Sequence, residues 1–240
     1  MLGWSRCEAN IRDCSPRLLI LSLDTATDIA TACVWRDGDA LAESATRARS
    51  VAAQRVLADV DRLMDEAGVV PADLDMVVAG TGPGTFTGLR IGLAAARALG
   101  FALGIPVKGV STLDALLAGE GVEVACVDAR RGEVFAAADL GAGAGEPVVC
   151  APDRLREALG GDVQGALAGG DGAVRFRTEI EAIGFEVPAD EDPANRLAAG
   201  QICALAAKME PGGGQFPAGV IPKYMRRPDA ERWLERNDGN

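Results

Sequence analysis

Hydrophobic residues in the first half of the chain occur as short uninterrupted runs and as two longer stretches in which they recur every three or four positions. A short apolar run is typical of a buried strand, and the longer spacing is typical of an amphipathic helix. In chain order the pattern predicts three strands, a helix, a strand, a helix, a strand and a helix, at Leu18–Leu23, Ile29–Trp35, Ala40–Thr46, Ser50–Ala67, Met76–Ala79, Thr85–Leu103, Val107–Val110 and Leu113–Ala118. This order is a mixed α/β pattern.

The opening pattern occurs a second time, 104 positions further along the chain. In the first copy, Leu18–Leu23 is followed by Asp24, a turn and a strand. In the second copy, Val122–Val127 is followed by Asp128, a turn and the strand Val134–Leu140. A strand, an aspartate, a hairpin turn and a second strand, used twice, is how a duplicated actin-like or sugar-kinase fold opens each lobe. The alternative is two ordinary hairpins with aspartate at the turn, where this residue is common.

The second half of the chain predicts a helix at Pro152–Leu159, a strand at Gln164–Leu167 and a helix at Pro193–Met209. Because the strands of the second lobe end before Pro193, we expect the last helix to return to the first lobe and bury its apolar residues there. The predicted fold class is a duplicated, two-lobed α/β fold of the actin-like or ribonuclease H-like (ASKHA) type, with mixed sheets flanked by helices. Its expected parts are a disordered leader at 1–16, lobe one at 17–112 plus 193–227, lobe two at 113–192 and a flexible tail at 228–240.

Composition and charge exclude several classes of protein. The chain has 240 residues, of which 48% are hydrophobic and 25% are charged, a balance typical of soluble globular proteins. Its net charge of −11 argues against a protein whose main task is to grip phosphate backbones alone. The absence of histidine excludes histidine metal sites, Ser-His and Cys-His nucleophiles and histidine general bases.

The cysteines and the apolar runs indicate the compartment. None of the six cysteines forms a C-x-x-C pair, and residues 1–16 lack the apolar segment of a signal peptide. No apolar run reaches the ~18 residues that a membrane helix needs. We therefore expect a cytoplasmic protein with reduced thiols, no membrane contact and no bound metal.

The most distinctive local motif of the sequence is a glycine-rich turn, Gly82–Arg90. Backbone N–H groups at the start of a helix can hold an anion, and glycine lets a phosphate or another backbone approach closely. No Lys-Ser/Thr pair follows the last glycine, so the turn is not a Walker A motif. The alternative is a tight turn that packs the helix on the strand.

The two aspartates that end the repeated strands are candidates to hold a hydrated Mg²⁺ between the lobes. Nucleotide-binding relatives of this fold use Asp-x-Gly at such turns, whereas Ala26 and Arg130 fill the glycine positions here. The sequence therefore predicts at most a weak and degenerate nucleotide site. Its candidate residues are Asp24, Thr25, Gly82, Gly84 and Asp128. No cofactor is required by this interpretation, and weak binding of ATP or ADP with Mg²⁺ at a partner interface stays open.

The second long helix carries small or apolar residues almost all round, so we expect it to need a partner beyond its own sheet. An isolated lobe would leave such a surface as an exposed apolar patch. We expect the two long helices to pack against two helices of a partner in a four-helix contact. When the partner is absent, we expect the same surface to pair with a second copy of the chain in a two-fold homodimer. The candidate contact residues are Val56, Leu57, Val60, Met64, Leu93, Ala96, Arg97 and Gly100.

Four motifs, in this order, resemble those of the TsaB (YeaZ) family. They are GPGTFTGLR at Gly82–Arg90, VSTLDAL at Val110–Leu116, VDARRGEVF at Val127–Phe135 and IPKYMR at Ile221–Arg226. The resemblance covers about Leu18 to Glu231 and is poorest over 141–189. It implies an actin-like, two-lobed ATPase fold that has lost catalytic capacity.

The resemblance also implies a function as a non-catalytic scaffold or regulatory subunit. Members of this family pair with the related catalytic subunit TsaD, and the ATPase TsaE joins them. The complex transfers threonylcarbamoyl to the adenosine beside the anticodon of tRNA. The catalytic relative carries a His-x-x-x-His metal site, which a chain without histidine cannot form.

One departure from the family pattern and one alternative function accompany this interpretation. Ala52-Ala53-Gln54 stands where family members often carry His-Ser-Glu, which puts partner contacts at the start of the first long helix in doubt. The alternative function is that of an active ATPase or small-molecule kinase of the same fold.

The C-terminal segment is basic in an acidic chain, with Lys223, Arg226 and Arg227 close together. One interpretation is that Tyr224 and Met225 pin this segment to lobe one and the charges are solvated. The other is that the three cations contact tRNA or an acidic partner surface.

Overall fold

The computed structural model describes residues 18–47, 52–141, 143–160, 163–209 and 219–225, with residues 52–54 described by their backbone alone. The strands are β1 (Leu19–Asp24), β2 (Ile29–Arg36), β3 (Asp39–Arg47), β4 (Met76–Gly80), β5 (Val107–Val110), β6 (Val124–Arg130), β7 (Glu133–Ala138), β8 (Val148–Cys150) and β9 (Ala168–Gly169). The helices are α1 (Ala52–Ala67), α2 (Phe86–Leu103), α3 (Thr112–Leu117), α4 (Leu155–Leu159), α5 (Asp171–Arg175), α6 (Arg177–Ala182) and α7 (Ala199–Lys208). Short 3₁₀ turns lie at Pro71–Asp73, Pro152–Arg154 and Pro193–Asn195.

The first sheet has the strand order β3-β2-β1-β4-β5, with β1 at its centre. β1 pairs with β2 in antiparallel and with β4 in parallel fashion, so the sheet is mixed. All six residues of β1 are buried, as expected of a strand covered on both faces. Leu19, Leu21 and Leu23 contribute to the core beneath α1 and α2, while Ile20 contributes to the core on the opposite face.

The second sheet repeats the topology of the first with one strand fewer. Its order is β8-β7-β6-β9, in which β6 pairs with β7 in antiparallel and with β9 in parallel fashion. β6 therefore takes the place of β1, and Asp128 lies near its end as Asp24 lies at the end of β1. The duplicated mixed α/β fold predicted from the sequence is confirmed.

Helices α3 and α7 join the two sheets through one hydrophobic core. This core contains Ile20 and Val78 from the first sheet, Val127 and Phe135 from the second sheet, and Ile202 from α7. α7 packs against β1 and β2 and also contacts α3, which in turn contacts β6 and β7. The chain therefore returns to the first sheet after the second sheet is complete. The bounds of the two lobes stay a prediction, and residues 1–16 and 228–240 lie outside the described residues.

The structure corrects the predicted start of the last helix. Pro193–Asn195 forms a separate 3₁₀ turn, which the Asp192 side chain caps by accepting from the N–H of Ala194. The chain then runs extended through Arg196, and α7 begins only at Ala199. The Asn195 side chain donates to two backbone carbonyl oxygens, which holds the turn apart from the helix.

The segment between the second hairpin and α7 was the least well predicted. The strand predicted at Gln164–Leu167 lies later, at Ala168–Gly169, and is only two residues long. β8, α5 and α6 were not predicted at all. β8 is the edge strand of the second sheet, and α5 and α6 pack on this sheet in a third core. All three elements are short, so they carry too few residues for a clear hydrophobic period.

We expect Ile202→Ala to destabilise the chain strongly, because the Ile202 side chain is fully buried between the two sheets. Removing a buried isoleucine to alanine should lower the free energy of unfolding by about 3 kcal/mol. The matched control is Ile221→Ala, at an isoleucine that is 67% exposed, and it should change the free energy by less than about 0.5 kcal/mol. Urea unfolding of both variants measures the difference, and similar effects of the two would contradict the shared core.

Candidate functional site

The first turn, Asp24–Ala26, is built around a buried carboxylate. Asp24 is fully buried, and its Oδ1 accepts from the N–H of Ala26 at 2.6 Å. Its Oδ2 accepts from the hydroxyl of Thr112, the first residue of α3, at 2.8 Å. A Cβ at Gly80 would lie 1.8 Å from the same Oδ2, so only glycine fits beside the aspartate. Asp24 thus connects β1, β4 and α3.

Burial raises the pKa of Asp24 from its ordinary value of 3.8 to about 6. The two hydrogen bonds to the carboxylate oppose this shift but do not cancel it. A carboxyl whose burial disfavours its ionised form destabilises the fold at neutral pH. Residues of this kind are concentrated at functional sites.

The glycine-rich turn packs against the first turn of the same chain. The hydroxyl of Thr25 donates to the carbonyl oxygen of Gly88 at 2.5 Å, and the N–H of Thr85 donates to the carbonyl oxygen of Ala26 at 2.7 Å. A Cβ at Gly88 would lie 1.9 Å from the carbonyl oxygen of Thr25, and one at Gly84 would lie 2.4 Å from that of Ala26. The glycines therefore allow a close approach of two backbone segments, which is the alternative that the sequence left open.

The remaining groups at the start of α2 also have partners within the chain. The Thr85 side chain caps the helix by accepting from the N–H of Gly88. The carbonyl oxygen of Gly82 accepts from the N–H of Thr112 at 2.8 Å. The glycine-rich turn is thus fixed from both sides, by the first turn and by the start of α3.

The second turn carries an ion-pair network. The Asp128 side chain is 5% exposed, and its Oδ2 accepts from Arg130 at 2.9 Å and from Arg175 at 3.0 Å. The other terminal nitrogen of Arg130 contacts Oδ1 of Asp28, in the loop between β1 and β2, at 2.5 Å. The Asp128 N–H donates to Asp171, whose pKa is raised to about 6, chiefly by burial and also by the charges of Asp128 and Asp28.

These residues do not fit a Mg²⁺–nucleotide group. Asp24 is inaccessible and accepts two hydrogen bonds from its own chain. Asp128 is already paired with two guanidinium groups. Within the described ranges, no group of three or more Asp, Glu or Cys side chains is placed to hold a metal ion. Of the five candidates, Thr25, Gly82 and Gly84 serve the packing of the glycine-rich turn.

The structure corrects most of the predicted interface residues. Val60, Met64, Leu93 and Ala96 are buried in the chain's own core beneath α1 and α2, and Gly100 is buried as well. Val56 and Arg97 are half-buried, and Arg97 donates to the carbonyl oxygen of Val220. Leu57 alone among the eight is well exposed, at 56%. The prediction selected the most apolar face of each helix, and that face packs on the first sheet.

The opposite side of α2 is nonetheless apolar beyond its first turns, in which Thr87 and Arg90 are exposed. We call the exposed residues Ala94, Ala98, Phe101 and Ala102 the α2 outer face. They recur at helical spacing, and Phe101 is 82% exposed. By length and composition alone α2 could cross a membrane, although its inner face packs on β4. A helix that is apolar on both sides is typical of an element with a second partner.

The C-terminal segment lies beside the start of α2. The N–H of Lys223 donates to the carbonyl oxygen of Thr81 at 2.9 Å, and Met225 packs against the shared core. The Tyr224 ring lies 5.3 Å from that of Phe86, and Arg90 donates to the Tyr224 hydroxyl at 3.1 Å. Lys223 is exposed, whereas Arg226 and Arg227 lie outside the described residues.

Sequence reasoning missed Asp28, Thr112, Asp171 and Arg175. Asp28 and Arg130 occupy comparable turns of the two repeats and have opposite charges. This was the one feature of the sequence that could have indicated an ion pair between the turns. Their contact joins residues 102 positions apart. Only the packing of the two sheets brings them together.

Comparisons with known proteins agree with this architecture. Residues 43–166 match the sequence model of the family described as TsaD, tRNA N6-adenosine threonylcarbamoyltransferase. An uncharacterized protein of Mycobacterium tuberculosis (strain ATCC 25618 / H37Rv) is 37% identical over 216 residues, which cover 88% of this chain and 93% of that protein. The tRNA threonylcarbamoyladenosine biosynthesis protein TsaB of Escherichia coli (strain K12) is 36% identical over 122 residues, covering 48% of this chain and 52% of that protein. YeaZ from Pseudomonas aeruginosa superimposes with a TM-score of 0.70 at 28% sequence identity, covering 87% of this chain and 100% of that chain.

We expect Asp24→Asn to stabilise the chain at neutral pH. The raised pKa means that the folded state is favoured when Asp24 is protonated, so this stability is present below about pH 4 and is lost as the pH rises through about 6. An asparagine is neutral at every pH and should remove this loss, raising the free energy of unfolding at pH 7.5 by about 1–3 kcal/mol.

Denaturation of the wild-type and Asp24→Asn chains at pH 7.5 and pH 5 tests this expectation. The gap between them should shrink as the pH falls. Asp61→Asn, at an exposed position of α1, is the matched control and should not alter the pH dependence. An Asp24→Asn chain that is less stable than the wild type at pH 7.5 would show that the ionised carboxylate contributes more than its burial costs.

Proposed function

The chain belongs to the TsaB (YeaZ) family, and from this premise we propose that it is a non-catalytic scaffold or regulatory subunit in the formation of threonylcarbamoyladenosine in tRNA. Its proposed partners are a TsaD-like catalytic subunit and a TsaE-like ATPase, which act on tRNA in the cytoplasm. The assembled complex transfers threonylcarbamoyl to the adenosine adjacent to the anticodon, and tRNA contacts this chain through the complex.

The main support for this proposal is the exposure of the apolar α2 outer face. A side chain as large as Phe101 that is 82% exposed beside three alanines is unusual for the surface of a protein that acts alone. Small residues let a second helix come close, and a few large side chains that become buried in a contact contribute most of its energy. A stable contact of this kind buries about 800 Å² on each partner.

The interlobe residues support a role without chemistry of its own. Asp24 and Asp128, the two carboxylates that a kinase of this fold would need, have partners within the chain. The chain contains no histidine to act as a general base. These observations favour a scaffold over the alternative of an active ATPase or small-molecule kinase.

The proposed occupant of the α2 outer face is the TsaD-like subunit, which is related to this chain through the same family model. Two related chains can pair through equivalent helices, because similar surfaces then face each other. Leu57 on α1, which packs beside α2, is expected to lie at the edge of this contact.

We expect Ala98→Glu to weaken association with the TsaD-like subunit at least about 100-fold, because it would bury an unpaired carboxylate in the contact. The fold should be unchanged, since Ala98 is exposed. Titration of the purified partner by calorimetry measures the affinity, and circular dichroism checks the fold.

Ala182→Glu is the matched control, because it adds the same charge at an exposed helical position of α6. It should leave the affinity unchanged. Wild-type affinity of the Ala98→Glu chain would place the contact elsewhere. Loss of self-association without loss of partner binding would mean that the α2 outer face serves a homodimer only.

The C-terminal cations are proposed to contact tRNA in the assembled complex. Lys223 is exposed beside the Phe86–Tyr224 ring pair, and Arg226 and Arg227 follow it in the sequence. Aromatic side chains with neighbouring cations are typical of surfaces that bind RNA.

We expect the triple variant Lys223→Gln, Arg226→Gln, Arg227→Gln to weaken binding of tRNA by the complex. The slope of log affinity against log salt should fall by about 0.7–0.9 for each lost phosphate contact. Lys208→Gln, at the exposed end of α7, is the control and should change neither quantity. Unchanged binding by the triple variant at every salt concentration would refute the tRNA contact.

A further inference from the structure

The Arg130 side chain connects the two halves of the duplicated fold. Its two terminal nitrogens contact two different carboxylates, Asp128 at 2.9 Å and Asp28 at 2.5 Å. Asp128 belongs to the same hairpin as Arg130, whereas Asp28 lies in the first hairpin, 102 positions earlier. The planar guanidinium is suited to such a bridge because its donors are held in a fixed fork.

Burial and a second arginine strengthen this bridge. The Asp128 side chain is 5% exposed and also accepts from Arg175, and the Arg130–Asp28 pair is partly shielded from solvent. Single exposed ion pairs contribute little to stability, but a buried carboxylate shared by two guanidinium groups forms a network. Removing Arg130 would leave Asp28 without this partner and Asp128 with one arginine fewer.

The backbone of the second turn also favours this arrangement. Arg130 and Arg131 have φ values of +62° and +58°, in the left-handed region that is unfavourable for residues other than glycine. The Asp128 side chain accepts from the N–H of Arg130 at 2.8 Å, which holds the turn in this conformation. The strained turn directs the guanidinium towards the first hairpin.

We propose that Asp28, Arg130 and Asp128 form an interlobe latch that fixes the two halves of the fold relative to each other and occupies the space beside Asp128 that the sequence offered as part of a weak Mg²⁺–nucleotide site. The proposal rests on the contacts across the two turns and is independent of the proposed function.

Hydrogen exchange of the isolated full-length chain tests the latch. Arg130→Met and Asp28→Asn should each speed amide exchange at least about five-fold in both turns, residues 25–30 and 128–133, because each breaks the same contact. The double variant should exchange no faster than the faster single variant. The control pair, Arg62→Met and Glu66→Gln, breaks an exposed ion pair within α1 and should leave both turns unchanged.

Two results would overturn the proposal. The first is an Arg130→Met chain in which exchange rises only in residues 128–133, since this would mean that Arg130 stabilises its own turn without joining the lobes. The second is protection of both turns in the wild-type chain by millimolar Mg-ATP, since the space would then accept a nucleotide. Binding to the TsaD-like subunit is a separate measurement, so failure of the latch leaves the proposed function standing.

Discussion

The close contact between the turn Asp24–Ala26 and the glycine-rich turn determines much of the structure. Thr25 and Ala26 bond to the start of α2, and Asp24 bonds to the start of α3. The contacts of Thr25 and Ala26 need residues without side chains opposite them, which Gly88 and Gly84 supply, and Gly80 leaves room for the Asp24 carboxylate. The end of β1 therefore sets where α2 begins, and the direction of α2 places Ala98 and Phe101 on the outside of the first sheet.

The same constraint supports the proposal that the interlobe space takes no part in nucleotide chemistry. Close packing at the first turn buries Asp24 and raises its pKa to about 6, so the residue ties elements together. At the second turn, Arg130 pairs with Asp128 and Asp28. The charged residues of both turns thus act within the chain. The surface that we propose for a partner is the α2 outer face.

The hydrophobic pattern predicted β1, β2, β4, β5, α2 and the duplicated hairpins well, because these elements are long or fully buried and their periods are clear. The pattern failed for the two helix faces. Ala96 and Leu93 look like a surplus of small and apolar residues in sequence, yet they pack on the first sheet, whereas Ala94 and Ala98 lie outside. When both sides of a helix are apolar, the hydrophobic pattern does not show which side packs on the sheet and which side faces outward. The Asp28–Arg130 contact could not be predicted from the sequence, because it depends on how the two sheets pack against each other.

We propose that this chain is required by a catalytic partner and performs no reaction itself. The most direct measurement is the amount of threonylcarbamoyladenosine formed on tRNA by the cognate TsaD-like and TsaE-like proteins, with threonylcarbamoyl adenylate supplied, in the presence and absence of this chain. We expect product above background only when the chain is present, and no ATP turnover by the chain alone. Equal product without the chain would contradict it.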